Sequence, residues 1–242
     1  MACRVHRALV AVALIAAVLI TAVLTGGCAD RDTDDSETAV RSDADTAAGS
    51  HVQVLMLGRS VMHGWFQHWG WQGEDTVRRD GFELTYRELD VPPDIARSAS
   101  RFIGEAPADS IVFFKFCFDD FTGNENADRD LRDMERWVRQ VVEDAQSRDM
   151  KVVVGNALPK VRAASSPELT DQHRAFNDWL ADYVEGLGSD SVRVFDFYSV
   201  LAGSDGALLS KYATSADDSH PNDAAYEELD KGLFDLLDEL SR

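Results

Sequence analysis

The side chains in this sequence that could carry out a reaction are concentrated in a few short stretches. Ser60 lies in Gly58-Arg59-Ser60-Val61, paired carboxylates stand in Cys117-Phe118-Asp119-Asp120, and two aspartates precede a histidine in Asp217-Asp218-Ser219-His220-Pro221-Asn222. A serine hydroxyl is a weak nucleophile until a neighbouring base takes its proton, and an imidazole can be that base. The same residue types also make a helix-capping serine and a capped loop. Asp119 and Asp120 could share acid–base work, although two aspartates after an apolar run also make an ordinary turn. Cys117 falls inside the apolar run Ile111–Phe118 and reads as a buried, inert thiol. His63 and His68 do not share a helical face, and no other His/Cys cluster has ligand spacing, so no metal site is expected. The stretch His63–Trp71 could wall a sugar site by stacking. At helical spacing Val61, Trp65 and Trp69 fall on one face and read as core, which leaves Trp71 as the freer ring.

The elements that must position these residues follow from the hydrophobic pattern. Val52–Leu57, Phe82–Tyr86, Ile111–Phe118, Val152–Val154 and Val192–Phe195 are short apolar runs suited to strands buried on both faces. Between them apolar residues recur at three-four spacing: Leu131, Met134, Trp137, Val138, Val141 and Val142, then Phe176, Trp179, Leu180, Tyr183, Val184 and Leu187. A last helix carries Tyr226, Leu229, Leu233, Leu236, Leu237 and Leu240, with Asn222 as its N-cap just after Pro221. His173, at the start of the second of these helices, is expected to face solvent. Strands alternating with helices imply a parallel, about five-stranded sheet between two helical layers. In such folds ligands sit beyond the carboxyl ends of the strands, which is where Ser60 and Asp119 fall.

The chain of 242 residues carries 24 Lys+Arg against 43 Asp+Glu, a formal charge of -19. So negative a surface opposes a nucleic-acid partner and electrostatic attraction to anionic lipid. Arg4 and Arg7, the uncharged apolar run Ala8–Leu24 and then Gly26-Gly27-Cys28 resemble a bacterial lipoprotein signal, with Cys28 as the lipidated residue. The alternative is an uncleaved single-span anchor. Either way residues 51–242 are expected outside the cytoplasm. Residues 1–27 are thus read as signal and 28–50 as an acidic disordered tether, rich in Asp with almost no large apolar residue. Residues 51–242 are read as the folded domain.

From Val52 to the C-terminus the chain resembles the SGNH/GDSL hydrolases. The resemblance rests on Ser60 just past the first strand, on Asp217-x-x-His220-Pro221-Asn222 before the final helix, and on Val194–Tyr198 followed by Asp205-Gly206. It implies a three-layer α/β/α sandwich of flavodoxin-like type and a cofactor-free, metal-free chemistry. Ser60 would be the nucleophile, His220 the general base, and Asp217 the carboxylate that orients the imidazole. Oxyanion candidates are the Ser60 backbone N–H, Asp119 and Asn124. Three departures stand out. Arg59 replaces the Asp of the signature, Asp94–Ser100 lacks the Gly of the second block, and Asp119 occupies the place of the Asn that donates to the oxyanion. An ionised Asp119 can only accept hydrogen bonds, and loss of one oxyanion donor typically costs about 100- to 1,000-fold in kcat. Asn124, Asn126 and Asn156 could substitute, though each also suits a turn or a cap.

The expectation is an extracytoplasmic serine esterase, held to the cell envelope by lipid alone, that cleaves a small ester or the O-acetyl groups of a glycan through an acyl-enzyme. An acyltransferase on envelope polysaccharide would use the same residues. A catalytically weak glycan-binding lipoprotein of the same fold is the reading from another class.

Overall fold

The computed structural model describes residues 51–74 and 76–242. The signal segment, Cys28 and the acidic tether lie outside the described residues. Six strands form one sheet: β1 (Val52–Gly58), β2 (Thr76–Arg79), β3 (Phe82–Glu88), β4 (Ile111–Phe114), β5 (Lys151–Gly155) and β6 (Val192–Phe195). Their order is β2-β3-β1-β4-β5-β6. All neighbours run parallel except β2 and β3, which are antiparallel. The helices are α1 (Ser60–His68), α2 (Ile95–Glu105), α3 (Ala127–Gln146), α4 (Pro167–Leu187), α5 (Phe197–Leu201) and α6 (Asp223–Ser241). None of the described helices is long and apolar enough to cross a membrane.

The layers follow from side-chain alternation. Val54 and Met56 point into one core with Trp65, Leu229 and Leu233 of α1 and α6. Leu55 and Leu57 point into the other with Ile95, Val138 and Phe176 of α2, α3 and α4. Both faces of the central strands are therefore buried, which is why those strands read as unbroken apolar runs. The result is the anticipated three-layer sandwich, with the five parallel strands in flavodoxin-like order.

Two elements differ from the sequence reading. The sheet has a sixth strand, β2, whose Thr-Val-Arg-Arg sequence shows no apolar alternation. Its signal lay in the turn: Asp80 and Gly81, with φ of 50° and 87°, join Arg79 to Phe82 as a two-residue hairpin. β4 stops at Phe114 rather than Phe118. The buried chain then turns through a short 3-10 segment, Phe118–Asp120, where the Asp120 carboxylate accepts from Cys117 N–H at 2.8 Å.

Helices α1 and α6 pack side by side on one face, and specific contacts set their register. Tyr226 Oη donates to the Val61 carbonyl at 3.0 Å inside the core. The buried Asp230 carboxylate accepts from Trp65 Nε1 at 2.7 Å and Trp69 Nε1 at 2.9 Å. Gly64 leaves the gap into which Tyr226 reaches, since a Cβ there would lie 2.4 Å from Tyr226 Oη. Tyr226 cannot swing aside, because its ring stacks on Trp65 and His68. Gly64→Ala should therefore destabilise the fold by about 1–2 kcal/mol despite alanine's better helix propensity. Tyr226→Phe should relieve part of that cost, giving a coupling of about 0.5 kcal/mol or more in a double-mutant cycle read by denaturant unfolding.

His173, expected at the surface, is only 1% exposed. It shares the inner face of α4 with Leu169 and Phe176, one turn to either side, and packs edge-on against Phe121 at 4.9 Å. Its Nε2 has no hydrogen-bond partner. Burial, with a smaller contribution from the Lys160 charge, pushes the imidazole down to about 4. An unfolded histidine protonates near 6.5, so between about pH 6.5 and 4 the unfolded chain binds more protons than the native one. Stability from this residue is thus lost as pH falls through that window. His173→Phe should shrink the stability loss between about pH 7 and 4.5 by roughly 2 kcal/mol, measured by urea unfolding at both pH values.

Candidate active site

The strand order reverses direction between β1 and β4, and crevices in open α/β sheets form at such switch points. Ser60 is the first residue of α1, two residues beyond the end of β1. Arg59 provides no side-chain cap and no acidic residue occupies the first turn, so the helix presents its free N–H groups and positive end at Ser60.

His220 arrives from the far end of the chain, on the loop before α6. Its carbonyl accepts from both Thr214 N–H and Thr214 Oγ1 at 2.9 Å. The neighbouring Asn222 caps α6 through Ala225 N–H at 3.1 Å, as the sequence indicated. Its amide nitrogen also ties the loop to the carbonyls of Lys211 and Ala213, both at 3.0 Å. Ser219 accepts from Val161 N–H at 3.1 Å, and Phe118 stands edge-on to the imidazole at 5.0 Å. With its backbone and flank fixed, His220 places Nε2 3.0 Å from Ser60 Oγ.

The carboxylate on the other ring nitrogen is Asp218, not Asp217. Asp218 Oδ1 lies 2.6 Å from His220 Nδ1 and accepts from His220 N–H at 2.9 Å. An aspartate accepting from the backbone two residues on forms an Asx turn, and that turn carries Asp218 beneath the ring. Asp217 faces solvent and bonds Ser215 Oγ at 2.5 Å. The Asp-x-x-His spacing of the resemblance points to Asp217; the turn geometry puts its neighbour under the ring instead. The His220 backbone N–H, followed by its side chain, holds the Asp218 carboxyl below the usual range. With Asp218 ionised, Nδ1–H donates to it and the Nε2 lone pair accepts the Ser60 hydroxyl proton.

Beneath Ser60 lies a second group of charges. Arg59 Nη2 pairs with Asp120 Oδ1, while the other Asp120 oxygen holds Cys117 N–H. Desolvation raises the Asp120 pKa against the opposing pull of Arg59. Lys115 is 1% exposed, and its ammonium finds no hydrogen-bond partner among the described residues. Burial pushes it down to about 8, and its Nζ lies 5.8 Å from the Phe197 ring centre. Sequence reasoning missed this cluster. The lone Lys115 at the end of a run of buried strand residues was its only signal.

The oxyanion candidates fall unevenly. The Ser60 backbone N–H is in place at the start of α1. Asp119 is exposed and pairs with Lys160 Nζ at 3.1 Å, so it supplies no donor. Asn124 is an exposed turn residue whose side chain accepts from Asn126 N–H at 2.8 Å. Asn126 is the residue just before α3, and Asn156 is spent on Asp196 at 2.7 Å and on Tyr198 N–H at 3.0 Å. The stretch Asp94–Ser100 is the start of α2, where Ser98 Oγ accepts from Asp90 N–H at 3.0 Å and so braces the loop after β3. Cys117 is buried and free. The expected core face of α1 holds, with Val61 and Trp65 fully buried. Trp71 is also engaged, its ring edge-on to His63 at 5.2 Å. Among the described residues no three or more His, Cys, Asp or Glu side chains gather as a metal site would need.

No protein-family model matches the chain, and no curated protein matches it. Solved structures do. A candidate acylhydrolase from Bacteroides fragilis superposes with a TM-score of 0.57 at 17% identity, over 78% of this chain and 88% of that one. A member of the lipolytic G-D-S-L family from Veillonella parvula gives 0.55 at 15% identity, over 76% and 97%. A salicylyl-acyltransferase from a tetracycline biosynthetic pathway gives 0.53 at 16% identity, over 81% and 57%. The fold is therefore that of the SGNH/GDSL hydrolases. At these identities the likeness describes the fold, and the chemistry must be argued from Ser60, His220 and Asp218 themselves.

The geometry makes a sharp distinction between the two aspartates. Asp218→Asn should slow labelling of Ser60 by a fluorophosphonate about 100-fold or more, because an amide can hold the wrong imidazole tautomer. Asp217→Asn should change the rate less than about three-fold. Labelling rates followed by intact-protein mass spectrometry compare the two.

Proposed function

We propose that this protein is a serine esterase that works through an acyl-enzyme. The observation that carries the reading is the unbroken chain from Ser60 Oγ to His220 Nε2 at 3.0 Å and from His220 Nδ1 to Asp218 at 2.6 Å. Ser60 Oγ attacks the ester carbonyl carbon as its proton passes to His220 Nε2. The tetrahedral intermediate collapses, the bond to the alcohol oxygen breaks, and His220 returns the proton to that oxygen. Water then repeats the sequence on the acyl-serine, releasing the acid and restoring Ser60. Negative charge on the carbonyl oxygen is met by the Ser60 N–H and the positive end of α1. Asp119, paired to Lys160, adds no donor, and the Asn124 and Asn156 side chains are engaged elsewhere, so a modest turnover rather than none is expected.

The finer reading is that the ester is a small acyl group, such as O-acetyl, on a glycan at the cell envelope, with the chain held there by lipid on Cys28. The glycan part draws on the polar surroundings of Ser60, and the location on the N-terminal sequence. Acyl transfer to a second alcohol remains the same chemistry with water replaced, and the likeness to an acyltransferase structure favours keeping it as the second reading.

The test is release of acetate from p-nitrophenyl acetate and from O-acetylated sugars by the full chain. Ser60→Ala and His220→Ala should each lower kcat/KM by about 1,000-fold or more. Residual activity unchanged in Ser60→Ala would overturn the esterase. If an added sugar alcohol diverts acyl groups from water to a new ester, the transferase reading takes its place. In cells, labelled palmitate should enter the wild-type chain and not Cys28→Ala; equal labelling would remove the lipid anchor.

A further inference from the structure

Ser60 and His220 open onto a cleft of about 550 Å³ between α1 and the start of α6. Not one Leu, Ile, Val, Met or Phe side chain lines it. Several of its polar groups are already committed. Tyr226 Oη donates to Val61, Asn222 holds the loop, and Thr214 Oγ1 donates to the His220 carbonyl. The groups left over are His63, whose side chain makes only ring contacts among the described residues, Gln67, exposed on α1, and Asp223, on the first turn of α6. Asp223 Oδ1 accepts from His68 Nδ1 at 3.0 Å, which fixes the carboxylate while its side chain stays 85% exposed. A carboxylate held by His68 and a free amide in one cleft are two hydroxyl-binding groups.

The position of the cleft says which half of an ester it would hold. His220 must hand its proton to the departing oxygen, so the alcohol half leaves on the imidazole's side of Ser60. His220 and Pro221 line the cleft together with Ser60, placing it on that side. The walls mix the Tyr226 and His63 rings and Pro221 with polar groups, so a hydroxylated ring would lay its faces on those surfaces and exchange water at its hydroxyls for the carboxylate and the amide, contacts a plain hydrocarbon cannot make. An anionic alcohol would meet Asp223 as a like charge.

We propose that the cleft is the leaving-alcohol subsite, and that its ligand is a neutral polyhydroxylated alcohol whose hydroxyls are held by Asp223 and Gln67. This rests on the esterase reading and adds to it the identity of the specificity-determining residues. His68 acts through Asp223 as a positioning residue.

The experiment has a kinetic and a binding arm, both on the full chain. The kinetic arm compares kcat/KM for a mono-O-acetylated glucose with that for p-nitrophenyl acetate, and the ratio is the readout. Asp223→Ala and Gln67→Ala should each lower the ratio about ten-fold. An acetylated uronate should be a poorer substrate than the acetylated glucose, and Asp223→Asn should narrow that gap at least about five-fold. A ratio that does not move, whether because both esters lose rate equally or because neither does, overturns the subsite. The binding arm uses Ser60→Ala and measures uptake of the intact acetylated glucose by ligand-observed NMR. Saturable binding that Asp223→Ala weakens supports the subsite even if turnover is slow, and absence of binding overturns it. Failure of the esterase reading is seen separately, as a wild-type Ser60 that resists fluorophosphonate.

Discussion

The site depends on how α6 is docked against α1. Ser60 and His220 are 160 positions apart, and no local turn brings them together. What does is a seam of polar contacts inside an otherwise apolar layer. Tyr226 reaches the Val61 carbonyl, and Asp230 holds the indoles of Trp65 and Trp69. Apolar packing alone would tolerate sliding of one helix along the other, since it is non-directional. Buried hydrogen bonds do not, because a slipped partner leaves a desolvated group unpaired. The register of two helices thereby becomes the position of an imidazole relative to a hydroxyl. A misplacement of about 1 Å between reacting groups is enough to cost two orders of magnitude in rate.

The nucleophile itself is set by the sheet. β1 and β4 lie side by side at the switch point, and their ends feed Ser60 and the Cys117–Asp120 turn into one crevice. The Arg59–Asp120 pair joins those two ends across the crevice floor. The Ser219 bond to Val161 and the Phe118 ring brace the histidine loop from the other side. Rigid elements thus support every member of the hydrogen-bonded chain, while the groups that would meet an alcohol stand at the open rim.

What could be read from the sequence was what periodicity and chain order encode. The five parallel strands showed because burial on both faces removes polar residues from them. The Asn222 cap and the inner face of α1 followed from residue type and position, while the pairing of Ser60 with His220 came from the resemblance to the SGNH/GDSL hydrolases. What failed was information carried by local turns or by rotation about a helix. Asp218 displaced Asp217 because an Asx turn, not spacing, decides which carboxylate lies under the ring. His173 went inward because it stands between Leu169 and Phe176 on the buried stripe of α4, and its polar type masked that face. The edge strand β2 has a polar sequence, and only the Asp80-Gly81 turn betrayed it.

The charges under Ser60 also constrain how this sequence could drift. Arg59 stands where the sequence resemblance expects the signature aspartate, and its guanidinium meets the largely buried Asp120. Replacing Arg59 by Asp alone would set two carboxylates against each other in a poorly solvated site. Neutralising Asp120 alone would strand Arg59 beside the buried Lys115 ammonium, with two cations and no counter-charge between them. Each single step leaves a buried charge without its partner. Arg59 and Asp120 therefore behave as one unit, and a substitution at either is felt as a change at both.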